Sequence, residues 1–133
     1  MHVIVRDKGI LVEYCFTVGN THDIDGLRQM PLAFSQKSTL FADSAYTDYL
    51  LEEMLADDDI NLLAARKQNA NKKHEPWVEY IISTLRKKVE TSFSDIAKYF
   101  PKNIHAVTDK GFLIKLIAFI FGYTIDKVLL IAT

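Results

Sequence analysis

The sequence predicts an α/β domain, a sheet of short strands with helices on its faces. Three observations point there. Short β-branched and apolar runs alternate with longer stretches of helical period, in the order β-β-α-β-α-β-α-α. The stretch Trp77 to Phe100 carries apolar residues at Val78, Ile81, Ile82, Leu85, Val89, Phe93, Ile96 and Phe100, steps of three and four that mark one face of a long helix. The 133 residues, 49% hydrophobic and 25% charged, suit one domain with a real core rather than a disordered chain.

His2 to Arg6 is β-branched and apolar and reads as a strand. Asp7-Lys8-Gly9 is a turn signal, and Ile10 to Val18, rich in Val, Tyr, Phe and Thr, is the second strand of a hairpin. Gly19 to Asp23 is a loop. Thr21 or Asp23 is positioned to cap a helix over Ile24 to Phe34, which Pro31 shortens or bends. After a polar link, Thr39 to Ala42 is a short apolar strand of the kind found in buried sheets. Asp43 closes it, at the end where open α/β sheets place ligands. Ser44 is a cap for a helix over Tyr46 to Leu55, which Asp57-Asp58-Asp59 ends, and Ile60 to Ala64 returns as a strand.

Arg66 to Lys73 is a polar linker with four cations, Arg66, Lys67, Lys72 and Lys73. Pro76 suits the first turn of the long helix, and Phe100-Pro101 ends it. Thr108 or Asp109 caps a last helix, Lys110 to about Leu130. Its apolar run Phe112–Ile131 is nearly long enough to cross a bilayer. Lys115, Asp126 and Lys127 interrupt it, so it reads as a buried core helix and no membrane partner is expected.

The formal net charge of −1 gives no global pull on nucleic acid, so DNA binding has to use local patches. The single Cys15 excludes an internal disulfide and a cysteine-cluster zinc site, and fits a reduced, cytoplasmic setting. The opening residues are too short for the apolar part of a signal peptide.

Two acids stand at the edges of buried elements. Asp43 alone is often just a helix cap. Glu90 alone can simply pair with Arg86 one turn earlier on the same flank. Together they suggest metal-assisted phosphoryl transfer, in which carboxylate oxygens hold hard divalent cations. Lys87 and Lys88 add cations beside Glu90, where a DNA backbone would approach. The linker cations either meet phosphates or form a solvated loop. His22-Asp23 is either a loop histidine beside a cap or a pair that supports the site or faces DNA. Trp77 and Tyr80 can stack on bases, but at this spacing are more often core. His74 and His105 have no ligand spacing.

These blocks resemble the bacterial insertion-sequence DDE transposases. Phe41-Ala42-Asp43-Ser44-Ala45-Tyr46 looks like the block around their second acid, and Arg86-x-x-x-Glu90 like their third-acid block. Thr17 to Asp23 resembles the segment after the second hairpin strand, and Arg66-Lys67-Gln68-Asn69 the basic stretch before the final helices. The resemblance runs over nearly the whole chain. It implies an RNase H-like mixed sheet with flanking helices and a metal-dependent enzyme that cuts and joins DNA at transposon ends and target sites. Asp43 and Glu90 would be ligands to Mg²⁺ or Mn²⁺, and Arg86 would orient Glu90 or touch a phosphate.

There are departures. Ser83 stands where the family often has Tyr, and Ala97 where it often has Lys. The first acid belongs on a strand before the opening hairpin, and the sequence opens inside that hairpin. The expectation is therefore a truncated RNase H-like domain over 1–133, without its central first strand and inactive alone. The lost strand would leave a gap between the hairpin and the strand ending at Asp43. Asp7 is the nearest stand-in acid, but it sits in the turn with Gly9. The alternatives are a module that pairs with an intact transposase or with an upstream fragment supplying the missing acid, and an α/β domain unrelated to DNA.

Overall fold

A computed structural model describes residues 1–6 and 8–132. Asp7, the candidate stand-in acid, lies outside the described residues. The chain is mixed α/β, as the sequence predicts. It divides into two compact units, one of residues 1–4 and 13–87, the other of 5–12 and 88–133.

The first unit is built on four strands. β1 (His2–Val5) pairs with β2 (Leu11–Cys15) in one two-stranded sheet, and the turn end of this hairpin belongs to the second unit. β3 (Ser38–Ala42) pairs in parallel with β4 (Ile60–Ala64) in another, with Ser38 opposite Ile60 and Ala42 opposite Ala64. Among the described residues these are two separate sheets, and β3 has a strand partner on one side only. β4 is the more buried of the two, with Ile60, Leu62 and Ala64 buried. No residue of β3 is fully buried, so Thr39–Ala42 is less interior than its apolar run suggests.

α1 (Asp23–Gln29) is shorter than the helix expected to Phe34. Met30 already has extended dihedrals (φ −81°, ψ 141°), the conformation that Pro31 imposes on its predecessor. α2 (Tyr49–Asp57) starts later than expected, because Ser44–Tyr46 forms a separate 3-10 turn. The cap of α2 is Asp48, whose carboxylate accepts the Leu50 and Leu51 N–H groups at 3.1 and 3.2 Å. Lys37 and Asp59 adopt left-handed φ values of 63° and 59° just before the paired strands. The Lys37 N–H donates to the Asp59 carbonyl at 2.8 Å, which fixes the register of β3 and β4 where they begin. The core joins Leu27 and Met30, Leu55 of α2, and Ile60 and Leu62 of β4.

α3 runs from Pro76 to Ala97, close to the predicted Trp77–Phe100. Its first part, in the first unit, buries Val78 and Ile82. Trp77 and Tyr80 are exposed rather than core.

In the second unit, Ile96 of α3 and Ile120 and Tyr123 of α4 (Asp109–Ala132) are the fully buried large side chains. Thr108 is the cap of α4, with its hydroxyl accepting the Gly111 N–H at 3.0 Å. The Tyr123 hydroxyl donates to the Gly9 carbonyl at 2.7 Å. Gly9 has φ 76°, and a Cβ there would press on Ser92 Oγ at 3.3 Å, so the turn needs glycine. The expectation of a buried core helix needs correcting. One face of α4 is buried, but most of its large apolar side chains are exposed. Among the described residues no helix is long and apolar enough to cross a membrane.

Candidate functional site

Parallel pairing sets the position of Asp43. Ala42 and Ala64 are level, so Asp43 and the Ala65-Arg66 linker leave the same C-terminal edge of the sheet. The Asp43 side chain caps the 3-10 turn, with Oδ1 accepting the Ser44 N–H at 2.6 Å. Oδ2 faces the Arg86 guanidinium of α3, at 3.8 Å from Nη2. Both side chains are substantially exposed, so this is a loose ion pair worth little to stability. Asp43 is thus a cap, as the simpler reading has it, and it also presents an open carboxylate edge beside a cation.

The turn that carries Asp43 is anchored from below by His2, a residue with no sequence signal to single it out. His2 is buried. Its Nδ1 lies 3.0 Å from the Tyr46 hydroxyl and its Nε2 3.0 Å from Thr17 Oγ1. A neutral imidazole donates at one nitrogen and accepts at the other, and either hydroxyl can take either part. Asp23 Oδ1 stands 3.8 Å from His2 Nδ1. Burial, with the negative charge of Asp23 and further coulombic contributions from Cys15 and Asp43, pushes the Tyr46 phenol up to about 12, so it stays a neutral hydroxyl at physiological pH. His22 is exposed at the start of α1 and makes no side-chain cap bond there. Of the His22-Asp23 pair, Asp23 reaches this cluster.

The basic linker is not uniform. Arg66 is almost fully enclosed, its side chain 5% exposed. Its two terminal nitrogens each donate to a Glu52 oxygen at 2.7 Å, a bidentate pair, and the guanidinium lies 5.0 Å over the Tyr49 ring. The hydrogen bonds donated to Glu52 and the charge of that carboxylate hold the Arg66 pKa above the ordinary guanidinium value against the opposing effect of burial. Among the described residues Arg66 Nε is buried without a partner. Lys72 pairs at the surface with Glu53 at 3.3 Å, and Lys67 and Lys73 are exposed. His74 Nε2 meets the Ala64 carbonyl at 2.8 Å, fastening the far end of the linker to β4. Lys87 and Lys88 are exposed on α3.

Asp43, Arg86 and Lys87 belong to the first unit, and Lys88 and Glu90 to the second. Arg86 and Glu90 lie on one continuous helix, one turn apart. Carboxylate oxygens are the right donors for a hard divalent cation. They are too few here. Among the described residues no group of three or more His, Cys, Asp or Glu is placed to hold a metal. The residues present therefore do not by themselves fit a two-ion centre.

Comparison with known families matches residues 1–115 to the transposase DDE domain. No curated protein and no solved structure matches the chain significantly.

Proposed function

The chain belongs to the transposase DDE domain family, and from that membership we propose that Asp43 and Glu90 are two of the acids that bind Mg²⁺ or Mn²⁺ for DNA strand cleavage and transfer. The observation that carries the proposal is the approach of Arg86 to Asp43, 3.8 Å between Nη2 and Oδ2. It links the end of β3 to the helix on which Glu90 follows one turn later, about 6 Å along the axis. Arg86 is a positioning residue whose charge screens the Asp43 carboxylate. Asp23, with His22 beside it, supports the turn through His2 and Tyr46. Lys67, Lys72, Lys73, Lys87 and Lys88 attract the DNA backbone, while Arg66 holds the linker in shape through Glu52.

Two acids leave the metal centre short of the bridging carboxylate a two-ion mechanism needs. These 133 residues alone then bind metal weakly and cut no DNA. Titration with Mn²⁺ while following amide NMR signals tests the assignment. The signals around Asp43 and Glu90 broaden together and first, and broadening at only one of them overturns it. Strand transfer by the purified chain with Mn²⁺, abolished in Asp43→Ala, would overturn the inactivity.

A second reading rests on the separation of the two sheets. An edge strand such as β3 invites pairing with another chain. The chain would then associate with an intact transposase and lower its joining rate in a dose-dependent way. An unchanged rate at excess chain rejects it.

A further inference from the structure

We infer that the turn Lys67–Ala70 reads base edges in duplex DNA, with the side-chain amides of Gln68 and Asn69 recognising adenine. The inference rests on the proposed role of the basic linker in attracting the DNA backbone, and it adds a sequence preference to that role.

The linker is charged but not loose. Both of its arms grip Tyr49, the first residue of α2. The Arg66 guanidinium lies 5.0 Å from the ring centroid and the Lys72 ammonium 5.1 Å. The Lys72 backbone N–H donates to the Tyr49 hydroxyl at 3.4 Å. The Arg66 backbone N–H donates to Glu79 Oε1 of α3 at 3.1 Å, in addition to the two side-chain bonds to Glu52. The root of the linker is tied to the Asp43 turn. The Ala65 N–H donates to the Ala42 carbonyl at 2.9 Å, and the Thr47 hydroxyl donates to the Ala65 carbonyl at 3.3 Å. A loop fastened at both ends on one side chain has already lost most of the freedom that binding would otherwise remove.

Between the arms, the Ala70 N–H donates to the Lys67 carbonyl at 3.0 Å, which makes Gln68 and Asn69 the central residues of a β-turn. Both are exposed. Among the described residues no hydrogen bond takes up either side-chain amide. The chemistry of the tip differs from that of the arms. Arg66 is turned inward on Glu52, whereas the two residues at the tip carry no charge. An uncharged amide neutralises no phosphate and releases no counterion. What it offers is a donor beside an acceptor, the complement of adenine N7 and N6–H in the major groove. Lys67 beside the tip and Lys73 beyond it are exposed and supply the sequence-independent attraction that brings a groove to the turn.

Selection from mixed DNA tests this. A pool of short duplexes randomised at their central positions is passed over the purified chain at low salt, where phosphate attraction holds any sequence. The retained DNA is sequenced. The expected result is adenine enriched about tenfold at one or two adjacent positions, the discrimination of a bidentate amide–adenine pair. Gln68→Ala combined with Asn69→Ala abolishes the enrichment, while the salt slope of retention, set by the cations, stays. Should that variant fail to fold, Gln68→Glu combined with Asn69→Asp decides. It keeps the shape of both side chains but removes their donors, so the adenine preference is lost. No base enriched by the wild type, or an adenine preference that survives either folded variant, overturns the base reading and leaves the phosphate role standing. A chain that retains no DNA at low salt overturns both. The metal assignment is read separately, by the Mn²⁺ titration.

Discussion

Gly26→Ala sets two effects against each other. Gly26 lies in the interior of α1, where alanine is intrinsically favoured by up to about 1 kcal/mol. A Cβ at this position would stand 2.5 Å from His2 Cδ2 and Nε2 and 2.8 Å from Cε1. That overlap forces the imidazole from its pocket. Both of its hydrogen bonds, to Tyr46 and Thr17, are then lost, at about 1 kcal/mol each. The Tyr46 hydroxyl is left partly buried without its partner, which adds about 1 kcal/mol more. The clash outweighs the helix propensity, and the net loss is about 2 kcal/mol. In equilibrium urea denaturation followed by circular dichroism this appears as a lower midpoint. On heating, it is a fall of roughly 8 °C at about 4 °C per kcal/mol for a chain of this size. A double-mutant cycle fixes the cause. In a His2→Ala background the obstruction is gone, so Gly26→Ala becomes neutral or stabilising, and the cycle gives a coupling of about 3 kcal/mol. Gly26→Ala as stable as the wild type, or equally harmful with and without His2, would refute the reasoning.

Asp48 carries a pH signature. Its burial raises its pKa, but the Arg28 hydrogen bonds and charge and the Leu51 and Leu50 N–H groups together hold it below the ordinary carboxylate value. Its stabilisation is therefore complete above the unfolded carboxyl pKa of about 4 and is lost as pH falls through the lower folded value. Thermal melts should show the wild type losing stability more steeply than Asp48→Asn on acidification. Arg66→Ala leaves a partly buried Glu52 without its partner and should lower stability by about 2 kcal/mol, whereas Lys72→Ala, at an exposed pair, should change it by less than about 0.5 kcal/mol. Replacing Lys72 and Lys73 by Gln should lower the salt slope of DNA binding by about 2, and retention on DNA that ignores salt would reject the phosphate role of the linker.

The elements that periodicity governs were legible. Ile60–Ala64 agrees to the residue, and the long helix differs only at its ends, because apolar spacing is a local property. The start of α2 was misplaced because Ser44 and Asp48 are both competent caps. Asp48, directly before an uninterrupted run of helix formers, is the stronger start signal. At the candidate site, Asp43 at a strand end and Arg86 on a flank were readable. His2 was not: a histidine in a β-branched run announces no pocket, and its partners lie 15 and 44 residues away. The same holds for Arg66. Four cations in a polar linker suggest a solvated surface, and nothing local reveals that Glu52, 14 residues earlier, encloses one of them.

The bond from Tyr123 to the Gly9 carbonyl joins residues 114 positions apart. During translation at 5–20 residues per second, the opening turn would wait on the order of ten seconds for the tyrosine to emerge from the ribosome. The turn end of the hairpin therefore waits for the rest of the unit it belongs to, although the neighbouring strand residues can already join the nascent first unit. The two ends of the hairpin thus depend on parts of the chain made at different times, the turn end on Tyr123.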